Sequence, residues 1–170
     1  MESENKDSYD KSLHFSRITA ENWRMPDRKH YMPVGIEKAQ WIKPFLAPRL
    51  EATVPLDVIR VFEIARGCLI YSWFFYPLAT LSLEQCTRVC EFAARERCRL
   101  LRQRSRTFAE SLRILVAAGL ISANDAPRWK AVRELRNDRS HLEGFMLSDP
   151  GEALKVLSRT AELINLLFAR

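Results

Sequence analysis

The stretch Trp129-Lys130-Ala131-Val132-Arg133-Glu134-Leu135-Arg136-Asn137-Asp138-Arg139-Ser140-His141 decides how the chain is read. Trp129, Val132 and Leu135 recur at i, i+3 and i+6, the spacing of an apolar stripe on an amphipathic helix. At about 100° per residue, Arg136 falls within about 40° of both Val132 and Trp129, along the inward stripe. An always-charged guanidinium in that position is costly unless it is paired or lines a cleft. The stretch also holds His141, the one histidine outside the N-terminal region that carries His14 and His30.

Helical spacing continues on both sides. Downstream, a loop over 141–148 leads to Asp149-Pro150-Gly151-Glu152, which caps a last helix reaching 168, striped by Leu154, Leu157, Ala161, Ile164 and Phe168. Upstream, Asn124-Asp125-Ala126-Pro127 opens the Trp129 helix. Gly119 stops the helix before it, and Thr107-Phe-Ala-Glu110 has the spacing of a capping box at that helix's start. A long helix is predicted over 81–103, with Leu83, Val89, Cys90 and Phe92 apolar and Glu84, Arg88 and Glu91 polar. Another runs from Pro55 to about 75. It turns Val58, Val61, Phe62 and Ala65 inward and Asp57, Arg60, Glu63 and Arg66 outward, and becomes apolar all round before Pro77 breaks it. A short helix over 36–45 is limited by Pro44 and Pro48.

The expected fold is therefore all-α, an up-and-down bundle of five or six helices over 36–170 with no credible strand run. Five glycines and an abundance of Leu, Ala, Arg and Glu agree with it. Before the bundle, 1–35 reads as a polar N-terminal arm, solvated or loosely docked. Residues 1–31 balance six Lys/Arg against six Asp/Glu, while Tyr9, Phe15, Ile18 and Trp23 leave a docking role open.

With 170 residues and 47% apolar side chains, the chain suits a single core. Its most apolar run, 68–79, is short of the roughly 20 residues a bilayer span needs. No apolar run in 1–30 resembles a leader, so the four cysteines Cys68, Cys86, Cys90 and Cys98 read as free thiols in a reducing cytoplasm. The net charge of +6 is concentrated, with six arginines and one glutamate over 95–106. Arg95, Arg99, Arg102 and Arg106 follow i, i+4, i+7 and i+11 and would share a helix face. That face reads either as a solvated helix end or as a patch that tracks phosphates.

Rival chemistries find little support. Cys86 and Cys90 have a chelating spacing, but zinc wants four ligands and no histidine or CxxC lies near, so buried thiols and no metal are expected. No GxSxG, Walker, GxGxxG or HExxH pattern occurs, and no cofactor is expected. Arg136 and His141 remain. On a continuous helix they would stand about 140° apart, but a helix ending near Asp138 would let the loop turn His141 back. An imidazole to move a proton beside a guanidinium to hold phosphoryl oxygens suits phosphodiester chemistry. The alternative has Arg136 bound to Glu84 or Glu91 inside the bundle, with His141 capping a loop.

Here the chain resembles the HEPN superfamily, small α-helical domains with an Arg-x4–6-His hallmark and commonly a polar residue straight after the arginine. Arg136-Asn137-Asp138-Arg139-Ser140-His141 is Arg-x4-His with Asn in that place, at the end of the penultimate helix in Glu134-Leu-Arg-Asn-Asp-Arg-Ser-His. The block Tyr76-Pro-Leu-Ala-Thr-Leu-Ser-Leu-Glu-Gln is similar to the entry into the central helix of some members, and the likeness covers about 55–168. The resemblance implies a metal-independent endoribonuclease acting as a homodimer, in phage defence or a toxin–antitoxin system, with any antitoxin or regulator a separate chain. It makes His141 the general acid or base for 2′-OH attack, Arg136 the stabiliser of the transition state and Asn137 an orienting residue. Arg95, Arg99, Arg102 and Arg106 would collect RNA. Members that have lost catalysis imply the alternative, a silent RNA- or protein-binding module. The N-terminal 50 residues have no counterpart in the minimal domain.

Overall fold

The computed structural model describes residues 9–10, 15–27, 38–140 and 147–169. Among them the chain forms an all-helical bundle of α1 (Lys38–Leu46), α2 (Leu56–Tyr71), α3 (Leu78–Leu100), α4 (Phe108–Ala117), α5 (Ala126–Ser140) and α6 (Pro150–Phe168). A two-residue antiparallel ladder, Tyr9–Asp10 with Phe15–Ser16, is the only extended pairing among the described residues. None of the described helices is long and apolar enough to cross a membrane.

The helix α3 is the spine, contacted by α2, α4, α5 and α6. Its sequence explains this. Ala79, Thr80, Ser82, Cys86, Thr87, Cys90, Ala93, Ala94 and Cys98 are all buried, and their small side chains let neighbouring helices approach closely. Larger residues fill the layers between, with Phe62, Leu83, Leu157 and Ile164 fully enclosed. Each contributes roughly 1.5–3 kcal/mol through burial. Side-chain hydrogen bonds tie the layers together: Ser82 Oγ donates to the Ala65 carbonyl at 2.8 Å, and the Ser148 N–H donates to Thr80 Oγ1 at 2.9 Å.

Several expected boundaries move. The helix expected to reach about 75 stops at Tyr71. Pro77 lacks the N–H that would close the next turn onto the Trp73 carbonyl, and that carbonyl instead accepts the Asp27 N–H at 2.8 Å. The described arm is thus anchored here. Phe15 also packs edge-on against Phe75 at 5.4 Å, while Ile18, Trp23 and Met25 stay exposed. Arg66, expected outward, lies back over the Phe62 ring and donates to the Pro48 carbonyl at 2.8 Å.

The spine helix ends at Leu100 rather than 103. Arg102 takes a left-handed conformation, φ 57°, and the Gln103 N–H closes back onto the Cys98 carbonyl at 2.9 Å. This corrects the expected arginine face: Arg95 and Arg99 lie on α3, whereas Arg102 and Arg106 lie beyond its end. The end of α5 is corrected too. It continues to Ser140, past the break expected near Asp138. His141 lies outside the described residues.

Candidate anion-binding groove

The N-terminus of α4 is built by local chemistry. Thr107 Oγ1 accepts the Glu110 N–H at 3.1 Å, and the Glu110 carboxylate accepts the Arg106 N–H at 2.7 Å. This is the expected capping box with its return bond shifted to the residue before the cap. Phe108, now fixed at the first turn, is buried and meets Trp129 edge-on at 6.4 Å. That contact sets the start of α4 beside α5. It also turns the groove-facing side of α5, Arg133, Arg136 and Asn137 at i, i+3 and i+4, toward α3.

The result is an open groove of about 490 Å3. Glu91 and Arg95 line it from α3, residues 106–109 from the start of α4, and Arg133, Arg136 and Asn137 from α5. Four guanidiniums face one carboxylate. Glu91 divides itself between two of them, with Oε1 at 2.7 Å from Arg95 and Oε2 at 3.2 Å from Arg136. The Glu91 side chain is 13% exposed, against 46% for Arg95 and 42% for Arg136. Arg95 also donates to the Arg106 carbonyl at 3.3 Å. Of the two carboxylates expected as partners for Arg136, Glu91 is the one it meets.

Arg106 and Arg133 differ. Among the described residues neither guanidinium meets a carboxylate, and the Arg133 Nε is buried without an acceptor. First-turn amides of α4 add partial positive charge at the groove's edge, since the Phe108 and Ala109 N–H groups have no intrahelical acceptor. A groove with three excess positive charges repels a metal cation and attracts an anion. Guanidinium forks match phosphate oxygens in particular.

The structure therefore brings together Arg136, Asn137, Arg95 and Arg106 from the sequence reading. It leaves Arg99 and Arg102 off the groove. Arg99 is 72% exposed and forks onto Glu96 at 2.6 and 2.9 Å, bonds that hold the Glu96 carboxyl below the usual carboxylate range. Arg133 is the residue that sequence reasoning missed. Its signal was present, four residues after Trp129 and three before Arg136, but one arginine among many carries no mark of the neighbouring helix.

Two further grooves flank α5. One, about 390 Å3, separates it from α6 and is walled by Val132, Leu135, Val156 and Leu163. The other, about 360 Å3, lies along α4 over Leu112, Ile121 and Trp129, and shares Arg133 and Ala109 with the arginine groove. The thiols lie elsewhere. Cys86 and Cys90 are buried in the spine, where burial raises both, Cys90 to about 12. These are packing residues. Comparison with family models, curated proteins and solved structures finds no match to this chain.

Proposed function

We propose that the protein is a metal-independent endoribonuclease whose reacting phosphate is held at Arg136. The observation that carries this reading is the groove itself. Arg136 and Asn137, the first two residues of the Arg-x4-His motif, open into a site with four guanidiniums, one carboxylate and a helix N-terminus. Charge growing on the phosphoryl oxygens during attack of the ribose 2′-OH would be stabilised by Arg136. Following the resemblance to the HEPN superfamily, His141 exchanges the proton and Asn137 orients the scissile group. The products are 2′,3′-cyclic phosphate and 5′-hydroxyl ends. The same resemblance supports a homodimer, a role in phage defence or a toxin–antitoxin pair, and regulation by a separate chain. Four free thiols, three of them buried, suit a reducing cytoplasm.

Purified protein should cleave RNA in excess EDTA. Arg136→Ala and His141→Ala should each lose at least 100-fold in rate, about 2.7 kcal/mol, while melting like the parent. Wild-type cleavage by both folded variants would remove the site assignment.

One observation favours a second reading, a catalytically silent module that binds RNA or a protein partner. Arg136 already has a partner in Glu91, and a guanidinium held by a carboxylate has less to give a phosphate. Salt-sensitive RNA binding without cleavage across varied substrates would support that reading.

A further inference from the structure

The groove's arginines are not equivalent, and their pairing sorts them. Glu91 holds Arg95 and Arg136 from one carboxylate, each oxygen serving one guanidinium. Arg106 and Arg133 reach the same groove from α4's start and from α5 with no carboxylate of their own among the described residues. For the exposed Arg106, water satisfies the guanidinium. Arg133 is half-buried, its Nε enclosed without an acceptor, and its charge is met by no carboxylate among the described residues. A ligand bringing oxygen acceptors and negative charge into the groove would supply the counter-charge that Arg106 and Arg133 both lack.

We propose that Arg133 and Arg106 form a second phosphate subsite, gripping a backbone phosphate next to the one that reacts at Arg136, with Glu91 as the positioning residue. This rests on the ribonuclease reading above for the identity of the strand, though not for the pairing that sorts the arginines. Glu91 keeps Arg95 and Arg136 in place between turnovers. Arg133 and Arg106 supply the charge that holds the strand while it reacts. The division predicts opposite consequences for removing a cation and removing the carboxylate.

The test is fluorescence anisotropy with a labelled single-stranded RNA oligonucleotide over a series of KCl concentrations, run beside cleavage assays in EDTA. Arg133→Gln and Arg106→Gln should each weaken binding whatever the RNA sequence. Each should also flatten the slope of log K against log salt by about one. Arg133→Lys should keep the slope, and Arg60→Ala on α2, an exposed arginine paired with Asp57, should leave binding as in the parent. Glu91→Gln should bind RNA more tightly with a steeper slope, yet cleave more slowly, because the groove gains charge and Arg136 loses its support. A purely structural Glu91 would lower both.

Parental affinity and slope in Arg133→Gln and Arg106→Gln would overturn the inference even if the parent cleaves RNA. Arg-dependent slopes in a parent that never cleaves would uphold the subsite and remove the ribonuclease reading. Should Arg133→Gln melt early, the exposed Arg106→Gln decides alone.

Discussion

Arg136 stands at the edge of the bundle, close enough to the core to be read as inward and exposed enough to meet solvent and ligand. Its place on the α5 stripe follows from helical geometry, and its pairing with Glu91 was one of two outcomes the spacing allowed. The choice depends on how α3 and α5 rotate against each other, which no local pattern records. Arg133 was illegible for the same reason. At this scale the cysteines give a sharper test than the arginines. Burial raises the Cys90 thiol to about 12 and raises Cys86 as well, above the roughly 8.5 of an unfolded cysteine. The folded chain therefore keeps protons that the unfolded chain gives up. The stability this represents is complete below about pH 8.5 and is lost as pH rises toward 12. Urea midpoints should fall between pH 7.5 and 10, and should fall less in a Cys86→Ala/Cys90→Ala variant. Equal losses in the two proteins would contradict the assignment.

Among the elements, α4 shows what short motifs reveal and what they leave open. Its start was legible because Thr107 and Glu110 form a local device, and its stop because Gly119 takes φ 70°. The last helix was legible too, as Asp149 Oδ1 accepts the Gly151 and Glu152 N–H groups at 2.8 and 3.3 Å. The end of α2 was not, since the donor that takes over the Trp73 carbonyl comes from Asp27 in the arm. The arginine face over 95–106 failed for a related reason: periodicity was extended through a left-handed Arg102 that ends the helix. Because the α4 cap also positions Phe108 and Arg106, removing it should matter beyond the helix. Thr107→Ala should cost about 1 kcal/mol in chemical denaturation and weaken RNA binding modestly. Unchanged stability would mean that the cap is not what holds this turn.

For the whole molecule, a single core around one small-residue helix explains why an all-α bundle was readable from spacing alone. The apolar stripes of α2, α5 and α6 all need the same partner, and α3 offers buried positions on most of its circumference. The prediction at this scale is cooperative failure. Leu157, fully buried on α6, should cost about 2–5 kcal/mol when cut to Ala, and should lower the melting of every probe together. Loss of α6 signal alone would show that the bundle is not one unit. The bundle's candidate site is the groove that α3, α4 and α5 leave between them. The most direct test of it is RNA cleavage in excess EDTA by the parent, Arg136→Ala and His141→Ala, with the fold of each verified by melting. The groove's proposed role predicts cyclic-phosphate products from the parent and at least 100-fold slower cleavage from both variants. Folded variants that cut RNA at the parental rate would contradict it.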